Sequence, residues 1–128
     1  MLPTEAAVKP RILVVEDSPE MQALIRTSLE ESFDITEAED AEEAVRLLDE
    51  LRPDLVLLDW RLPGRWGSQV LDTFAHRRPR MPVIVLTSQD DMPTRLLAES
   101  LGADLFMTKP FRPAELLEAV RTLLRGSV

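Results

Sequence analysis

The sequence predicts an α/β domain in which a parallel sheet is covered by helices on both faces. Two observations lead to this fold class. Short apolar runs alternate with longer segments of helical spacing, and five such pairs follow one another along the 128 residues. The apolar runs are continuous, as in strands that are buried on both faces. Five β–α pairs therefore indicate one sheet, right-handed crossovers and a helical layer on each side.

The first two pairs carry clear signals for the start of a helix. Arg11 to Glu16 is an apolar strand candidate, and Ser18 followed by proline predicts that a helix begins there. The second strand covers residues 34–38, and Asp40 with Glu43 predicts a helix start that resembles a capping box. The helical stripes are Met21, Leu24, Ile25 and Leu29 in the first helix, and Ala41, Ala44, Val45, Leu48 and Leu51 in the second.

The remaining three pairs continue the alternation. Leu55 to Leu58 is a continuous apolar run, and a turn at Leu62-Pro63-Gly64 leads to a third helix over Ser68 to Ala75. The later elements are a strand over Val83 to Leu86, a helix over about Pro93 to Leu101 that Gly102 ends, a strand over Leu105 to Thr108, and a helix that begins at Pro113.

Length and composition predict one domain and exclude several classes of function. We expect residues 1–10 to form a loosely ordered lead-in, residues 11–125 the domain and residues 126–128 a stub. The absence of cysteine excludes thiol catalysis and thiolate metal sites. The formal net charge of -8 argues against direct binding of nucleic acid or an anionic membrane by this domain. No apolar stretch approaches the ~20 residues of a membrane span and no signal peptide is evident, so we expect a cytoplasmic protein.

Polar side chains stand at the ends of four predicted strands. Glu16 and Asp17 follow the first strand, Asp59 follows the third, Thr87 the fourth and Lys109 the fifth. Each residue alone is unremarkable, but the carboxyl ends of parallel strands meet at one edge, where such sheets bind ligands. We therefore expect three carboxylates, one hydroxyl and one ammonium to lie together. This set suits a divalent cation and a phosphoryl group.

The chemistry of this set separates its members. Asp59 is the best candidate for a nucleophile because it ends a central strand, and carboxylates can form acyl phosphates. Together with Glu16 and Asp17 it resembles a Mg²⁺ site, and a cation lets the acids lie close together. We expect Lys109 to form an ion pair with these acids, for which a bound phosphoryl group would compete. Thr87 could donate one hydroxyl hydrogen bond to phosphate.

These motifs resemble those of a response-regulator receiver domain, the phospho-acceptor module of two-component signalling. The resemblance covers about residues 11–125, and the spacing of the motifs is similar to that in single-domain chemotaxis regulators. It implies a flavodoxin-like, three-layer (βα)5 fold with strand order 2-1-3-4-5. The motifs are Val-Val-Glu-Asp-Ser, Leu-Leu-Asp-Trp-Arg-Leu-Pro-Gly, Val-Leu-Thr-Ser and Met-Thr-Lys-Pro-Phe.

The resemblance implies a phosphoryl acceptor and a metal site. Asp59 would accept a phosphoryl group from a histidine kinase or a histidine phosphotransfer protein. Glu16, Asp17, Asp59 and the backbone carbonyl of Arg61 would surround Mg²⁺. The implied activity is a switch that performs only self-phosphotransfer and self-dephosphorylation, so we do not expect an enzyme that turns over a separate substrate.

The resemblance also implies residues that read and tune the phosphorylated state. Thr87 and Lys109 would bind the phosphoryl oxygens. Phe106 matches the family's switch aromatic, which turns inward as the threonine moves toward phosphate. Arg61 and Gln89 would border the site and tune the lifetime of the phosphoryl group. The readout would be a change in the fourth helix, fifth strand and fifth helix, with a possible homodimer through that face.

Three other functions remain open from the residues alone. A Mg²⁺-dependent phosphohydrolase would need a further acid or base near Asp59, typically two positions on, where Arg61 stands. A pseudo-receiver scaffold does not need the complete polar set that this chain has. A flavodoxin-like cofactor protein would need a phosphate-cradling loop rich in Gly, Ser and Thr after the first strand, which is missing.

One peptide bond and three residues near these motifs have plainer expectations. We expect the Lys109-Pro110 bond to be cis, which costs only about 0.5–1 kcal/mol before proline. His76 is the only histidine and stands in a basic loop, where a surface position is expected. Trp60 is expected to cover the rim of the site, and Trp66 lies in the loop that follows.

Overall fold

Five strands and five helices alternate along residues 8–62, 65–77, 80–89 and 91–125, which the computed structural model describes. Residues 1–7, the predicted Pro63-Gly64 turn and the predicted stub 126–128 lie outside these ranges, and residues 65–66 are described by their backbone alone. The strands are β1 Arg11–Val15, β2 Asp34–Ala38, β3 Leu55–Asp59, β4 Val83–Thr87 and β5 Leu105–Thr108. The helices are α1 Pro19–Leu29, α2 Ala41–Leu51, α3 Gly67–Ala75, α4 Met92–Ser100 and α5 Pro113–Arg125.

The five strands form one parallel sheet in the order β2-β1-β3-β4-β5, so the expected fold and strand order are confirmed. β3 is central and all five of its residues are buried. In the pairing register, Val15 lies beside Leu58, and Asp59 lies beside Leu86. The register therefore brings the carboxyl ends of β1, β3 and β4 to one edge of the sheet.

Alternate residues of each strand build two separate apolar cores. One core lies between the sheet and α2, α3 and α4, and the other lies between the sheet and α1 and α5. Members of the first core include Leu13, Val56, Leu58, Val85, Leu71 and Phe74, and members of the second include Ile12, Leu57, Ile84, Ile25, Leu116 and Val120. Burial of both faces explains why the strands have continuous apolar sequences.

The helix caps follow the predicted chemistry with one shift. Ser18 accepts a hydrogen bond from the backbone N–H of Met21, and Asp40 accepts one from the backbone N–H of Glu43. The carboxylate of Glu43 accepts from the N–H of Glu39, one residue before the position that a capping box would use. The observed strand and helix bounds lie within one residue of the predicted ones. Asp59 and Thr87 extend their strands by one residue because they pair with Leu86 and Thr108.

No helix in the described ranges has both the length and the apolar character to cross a bilayer.

A two-residue ribbon and a glycine connect β3 to α3. Arg61–Leu62 pairs with Arg65–Trp66 in antiparallel fashion. Gly67 then begins α3, and its N–H donates to the carbonyl oxygen of Trp60 at 2.7 Å. A Cβ at Gly67 would lie 2.7 Å from both the Cα and the carbonyl oxygen of Trp60, which is closer than real Cβ contacts. The start of α3 is therefore held against the residue that follows Asp59.

This close approach predicts that Gly67→Ala destabilises the protein. The clash is with backbone, so it cannot be relieved by a side-chain rotation, and we expect the free energy of unfolding to fall by about 1–3 kcal/mol. Urea unfolding measures this change. The control is Ser68→Ala at the next position, which should change the free energy by less than about 0.5 kcal/mol. An unchanged unfolding midpoint for Gly67→Ala would show that the two backbone segments are free to move apart.

Candidate functional site

The edge at the carboxyl ends of the strands holds the polar residues that the sequence singled out. Glu16 directly follows β1, Asp59 ends β3, and Lys109 directly follows β5. Carboxylate oxygens of Glu16, Asp17 and Asp59 all lie within 4.8 Å of one another. We call these three residues the acidic cluster. Their proximity follows from the parallel register, because Glu16 and Asp17 follow β1 and Asp59 ends the neighbouring strand β3.

Lys109 is the cation that faces the acidic cluster. Its Nζ donates to Oε1 of Glu16 at 2.9 Å and lies 3.5 Å from Oδ1 of Asp59. The Lys109 side chain is 17% exposed and that of Glu16 is 1% exposed, so water screens these pairs less than it would screen pairs on the surface. The backbone N–H of Lys109 donates to the carbonyl oxygen of Thr87 at 2.7 Å. The Lys109-Pro110 bond is cis, as predicted.

Glu16 is fixed by hydrogen bonds at each of its polar groups. Its Oε2 accepts from the N–H of Ser18, and its N–H donates to the carbonyl oxygen of Ala38. Its own carbonyl oxygen accepts from Nε2 of Gln22 at 2.6 Å. This glutamine was not singled out from the sequence, where a polar residue in the first turns of a helix carries no specific signal. These bonds hold the carboxylate of Glu16 between the start of α1 and Lys109.

The carboxyl group of Asp59 lies in a partly desolvated and negatively charged setting. Its residue is 6% exposed, and burial is the main cause that raises its pKa from 3.8 to about 6. The neighbouring carboxylate of Glu16 raises the pKa further. The N–H of Arg61, 3.1 Å from Oδ1, and the ammonium of Lys109 act in the opposite direction. One ammonium therefore does not fully neutralise the carboxylates at this edge.

The donor set fits a hard divalent cation. Glu16 and Asp59 are buried, whereas Asp17 is exposed, so the acidic cluster opens to solvent on the side of Asp17. Mg²⁺ takes oxygen ligands, few of them carboxylates, and retains water molecules in its remaining positions. Three carboxylates with an open side and an unneutralised charge match these requirements.

Arg61 and Gln89 form the rim of the edge, and the buried Thr87 is hydrogen-bonded to Gln89. Thr87 is 2% exposed, and its Oγ1 accepts from the N–H of Gln89 at 3.0 Å. The guanidinium of Arg61 donates to Oε1 of Gln89 at 3.3 Å. Both positions were expected to border the site, but the bond between them was not, because the rotamers of the exposed Arg61 and the half-buried Gln89 leave no sequence signal. The bond joins the segment after β3 to the segment after β4.

The aromatic residues near the site lie inside the protein. Phe106 is 8% exposed, belongs to the core beneath α2, α3 and α4, and has the Cζ of Arg95 4.5 Å from its ring centroid. Trp60 is 5% exposed and packs in the same core, so the expectation that it covers the rim is wrong. Its side chain points to this core, and the rim is formed by Arg61 instead.

His76 is exposed as expected, and the side chain of Trp66 lies outside the described part of the structure.

The comparison with known sequences matches this architecture. The family model of the response regulator receiver domain matches residues 12–121. The transcriptional regulatory protein PhoP for alkaline phosphatase synthesis of Bacillus subtilis is 37% identical over 118 residues, which cover 91% of this chain and 49% of PhoP. The phosphate regulon transcriptional regulatory protein PhoB of Escherichia coli is 39% identical over 118 residues, which cover 90% of this chain and 52% of PhoB. The chain thus spans about half the length of these relatives.

Solved structures agree with this assignment. The CheY-like response regulator receiver domain protein of Methanospirillum hungatei superposes with a TM-score of 0.88 at 28% identity, over 93% of this chain and 96% of that one. The BeF3-activated DrrB receiver domain superposes with a TM-score of 0.86 at 29% identity, over 92% and 99% of the two chains. Sequence and fold agree, and the chain belongs to the response regulator receiver domain family of two-component signalling.

Proposed function

We propose that this domain is a switch controlled by phosphorylation of Asp59. The phosphoryl donor is the phosphohistidine of a histidine kinase or of a histidine phosphotransfer protein, and the cofactor is Mg²⁺. The observation that carries the proposal is the position of Lys109, whose ammonium lies between Glu16 and Asp59 at the carboxyl edge of the sheet. Family membership supports the same chemistry.

The transfer step follows from the positions of the side chains. A carboxylate oxygen of Asp59 attacks phosphorus, the P–N bond of the phosphohistidine breaks, and the imidazole leaves with its electron pair and takes up a proton. The products are an acyl phosphate on Asp59 and a neutral histidine on the donor. The ammonium of Lys109 moves from Glu16 to a phosphoryl oxygen, and the hydroxyl of Thr87 turns from the N–H of Gln89 to donate to another.

The acidic cluster and the backbone carbonyl of Arg61 would hold Mg²⁺. When bound, the ion supplies positive charge that neutralises the phosphoryl oxygens as the bond forms. The protein contributes the fixed orientation of Glu16, whose carboxylate is bound by both Ser18 and Lys109. Asp17 contributes an exposed carboxylate that a hydrated Mg²⁺ ion can reach from solvent without any rearrangement of the core.

The return step is hydrolysis of the acyl phosphate on the domain itself. Arg61 stands two positions after Asp59, where a phosphohydrolase would need an acid or base, and its guanidinium is bound to the neutral amide of Gln89. Neither side chain acts as a base for water at neutral pH. We therefore propose a signalling switch rather than a hydrolase, with Arg61 and Gln89 as the residues that set the lifetime of the phosphoryl group.

The proposed output face is formed by α4, β5 and α5. Four large apolar side chains on its first two elements are exposed: Met92 at 62%, Leu96 at 55%, Leu97 at 46% and Leu105 at 37%. Phe106 lies beneath this face, and α4 begins directly after the segment that holds Gln89. A phosphoryl group that moves Thr87 would thus act on a surface suited to protein contact. The occupant we propose is a second copy of the domain or a protein partner.

The charge of the chain bears on the remaining partners. A formal net charge of -8 disfavours direct binding of nucleic acid by this domain. The relatives PhoP and PhoB are transcriptional regulatory proteins, so control of transcription through another part of the protein is the first output to test. The proposed compartment is the cytoplasm, where ATP supplies phosphoryl groups to histidine kinases.

Phosphoryl transfer to Asp59 is tested directly by mass spectrometry of the intact protein. With acetyl phosphate and Mg²⁺, the wild-type domain should gain one phosphate, and Asp59→Asn should gain none. Asp17→Asn should gain less because one ligand oxygen of the acidic cluster is lost. The matched control, Asp72→Asn, removes an exposed carboxylate on α3 and should be labelled like wild type. Full labelling of Asp59→Asn would reject the proposal.

The raised pKa of Asp59 predicts a pH-dependent effect of Asp59→Asn on stability. The folded protein binds this proton more tightly than the unfolded chain, so ionisation of Asp59 destabilises the fold as pH rises from about 4 through about 6. In the absence of Mg²⁺, Asp59→Asn should therefore be more stable than wild type at pH 7 by about 1–3 kcal/mol, and the two should converge near pH 4. Urea unfolding across this range measures the difference.

The control for this measurement is again Asp72→Asn, which should show no such pH dependence. Saturating Mg²⁺ should reduce the advantage of Asp59→Asn at pH 7, because the ion stabilises the wild-type fold more than that of the variant. An equal difference between wild type and Asp59→Asn at pH 4 and pH 7 would contradict the link between charge and stability.

Arg61 should slow the loss of the phosphoryl group. Its guanidinium can pair with the phosphoryl oxygens and lie across the path of attacking water, so Arg61→Ala should lose phosphate about two- to fivefold faster, the size of a partly exposed charge pair. The decay of phosphorylated protein after removal of acetyl phosphate measures this rate. Arg46→Ala, which removes an exposed arginine from α2, is the control. Equal decay of wild type and Arg61→Ala would mean that the side chain has no such role.

The output face predicts self-association of the phosphorylated state. Sedimentation with beryllofluoride and Mg²⁺ should show a dimer, and Leu96→Arg should keep the protein monomeric by placing a charge in the exposed apolar patch. Thr27→Arg on α1, on a different face, should dimerise normally. An unchanged mass for wild type would reject the homodimer and leave a separate partner as the occupant of this face.

A further inference from the structure

A cation–π contact links α4 to the aromatic residue beneath the proposed output face. The Cζ of Arg95 lies 4.5 Å from the ring centroid of Phe106, within the distance at which a guanidinium is attracted to an aromatic face. Arg95 is half-buried and follows Thr94, which is 8% exposed. The ring of Phe106 is itself 8% exposed and belongs to the same core as Val85 and Ala98. The guanidinium therefore covers a ring that otherwise contacts apolar side chains.

The two partners lie on two elements next to the carboxyl edge of the sheet, namely β5, which ends there, and α4, which follows β4 along the chain. Phe106 pairs with Val85 in the sheet, and its strand ends directly before Lys109. Arg95 lies in the first turns of α4, which Asp91 caps through the N–H of Thr94. A displacement of α4 or β5 at the carboxyl edge of the sheet would change the distance between the guanidinium and the ring. The contact thus lies where the site and the output face meet.

The chemistry of the ring makes this contact matter. The chain contains no tyrosine, and the phenyl ring of Phe106 has no hydroxyl group that could fix its orientation by a hydrogen bond. Apolar packing and the cation of Arg95 are two interactions that hold the ring inside. An interaction of this kind changes an equilibrium between two ring positions by about two- to fivefold.

We propose that Arg95 is a positioning residue that holds Phe106 in its buried position and so raises the affinity of the Asp59 site for a phosphoryl group. The inference rests on the proposed function and on the role that the resemblance implies for Phe106, whose ring would turn inward as Thr87 moves toward phosphate. By reciprocity, a contact that favours one ring position also favours the ligand that selects this position. Arg95 thereby raises the fraction of unphosphorylated domain in which the ring of Phe106 is already buried, as it would be in the phosphorylated domain.

The test is the apparent dissociation constant of beryllofluoride, measured by tryptophan fluorescence in excess fluoride and Mg²⁺. Arg95→Met retains an apolar stem but removes the charge, and it should weaken binding about two- to fivefold. Arg95→Lys retains a cation and should recover most of the loss. Arg121→Met, which removes an exposed arginine from α5, is the matched control and should bind like wild type.

A double-mutant cycle separates the contact from a general effect on the fold. In a Phe106→Leu background, Arg95→Met should no longer change the dissociation constant, because the ring that the cation contacts is gone. A second measurement leaves Arg95 in place and substitutes trifluorophenylalanine at position 106. This substitution keeps a ring of similar shape and weakens its negative face, so it should also weaken binding in the presence of Arg95, and less so in Arg95→Met.

The outcomes distinguish this inference from the proposed function. Equal dissociation constants for wild type and Arg95→Met would overturn the role of Arg95 while leaving Asp59 as the acceptor. A loss of the same size in the Phe106→Leu background, or no effect of ring fluorination, would likewise overturn it. If wild type binds no beryllofluoride, or if Asp59→Asn binds it as tightly, the proposed function itself fails and the inference fails with it.

Discussion

The excess of negative charge at the carboxyl edge of the sheet is the constraint on which the rest of the site depends. Three carboxylates lie within 4.8 Å of one another, and the ammonium of Lys109 contacts two of them, Glu16 at 2.9 Å and Asp59 at 3.5 Å. This cation does not balance them, which is part of the reason that the pKa of Asp59 rises to about 6. An edge in this condition favours binding of further positive charge, and Lys109 is held where a phosphoryl group would compete for it.

The fold produces this charge arrangement through register and burial. β1, β3 and β4 are buried on both faces, so their ends have little freedom, and Asp59 lies opposite Leu86 without any slip of the pairing. Gly67 continues the constraint beyond the sheet, because its contact with Trp60 fixes where α3 begins. The two apolar cores thus act on function by holding charged groups in place. In the proposed function, the backbone that carries these groups therefore needs no rearrangement, and only the side chains of Lys109 and Thr87 exchange partners when a phosphoryl group binds.

Sequence patterns predicted most of the fold and the membership of the acidic cluster, for identifiable reasons. Continuous apolar runs predicted the strands. Because the strands are parallel, the polar residues directly after them had to lie at one edge of the sheet. The strand order came from the resemblance to receiver domains, since alternation alone does not distinguish it. Trp60 was misplaced because a residue just beyond a strand can turn to either face. The hydrogen bond between Arg61 and Gln89 and the cation–π contact between Arg95 and Phe106 depend on rotamers and tertiary distances. A single sequence does not encode these in any local pattern.

A crystal structure of the domain with Mg²⁺ and beryllofluoride tests the central proposal most directly, namely that a phosphoryl group on Asp59 draws the ammonium of Lys109 away from Glu16. The account predicts beryllofluoride on a carboxylate oxygen of Asp59, Mg²⁺ bound by the acidic cluster, and the Nζ of Lys109 on a fluorine atom and no longer 2.9 Å from Glu16. Beryllofluoride on another carboxylate, or Lys109 still bound to Glu16 beside an occupied Asp59, would contradict it.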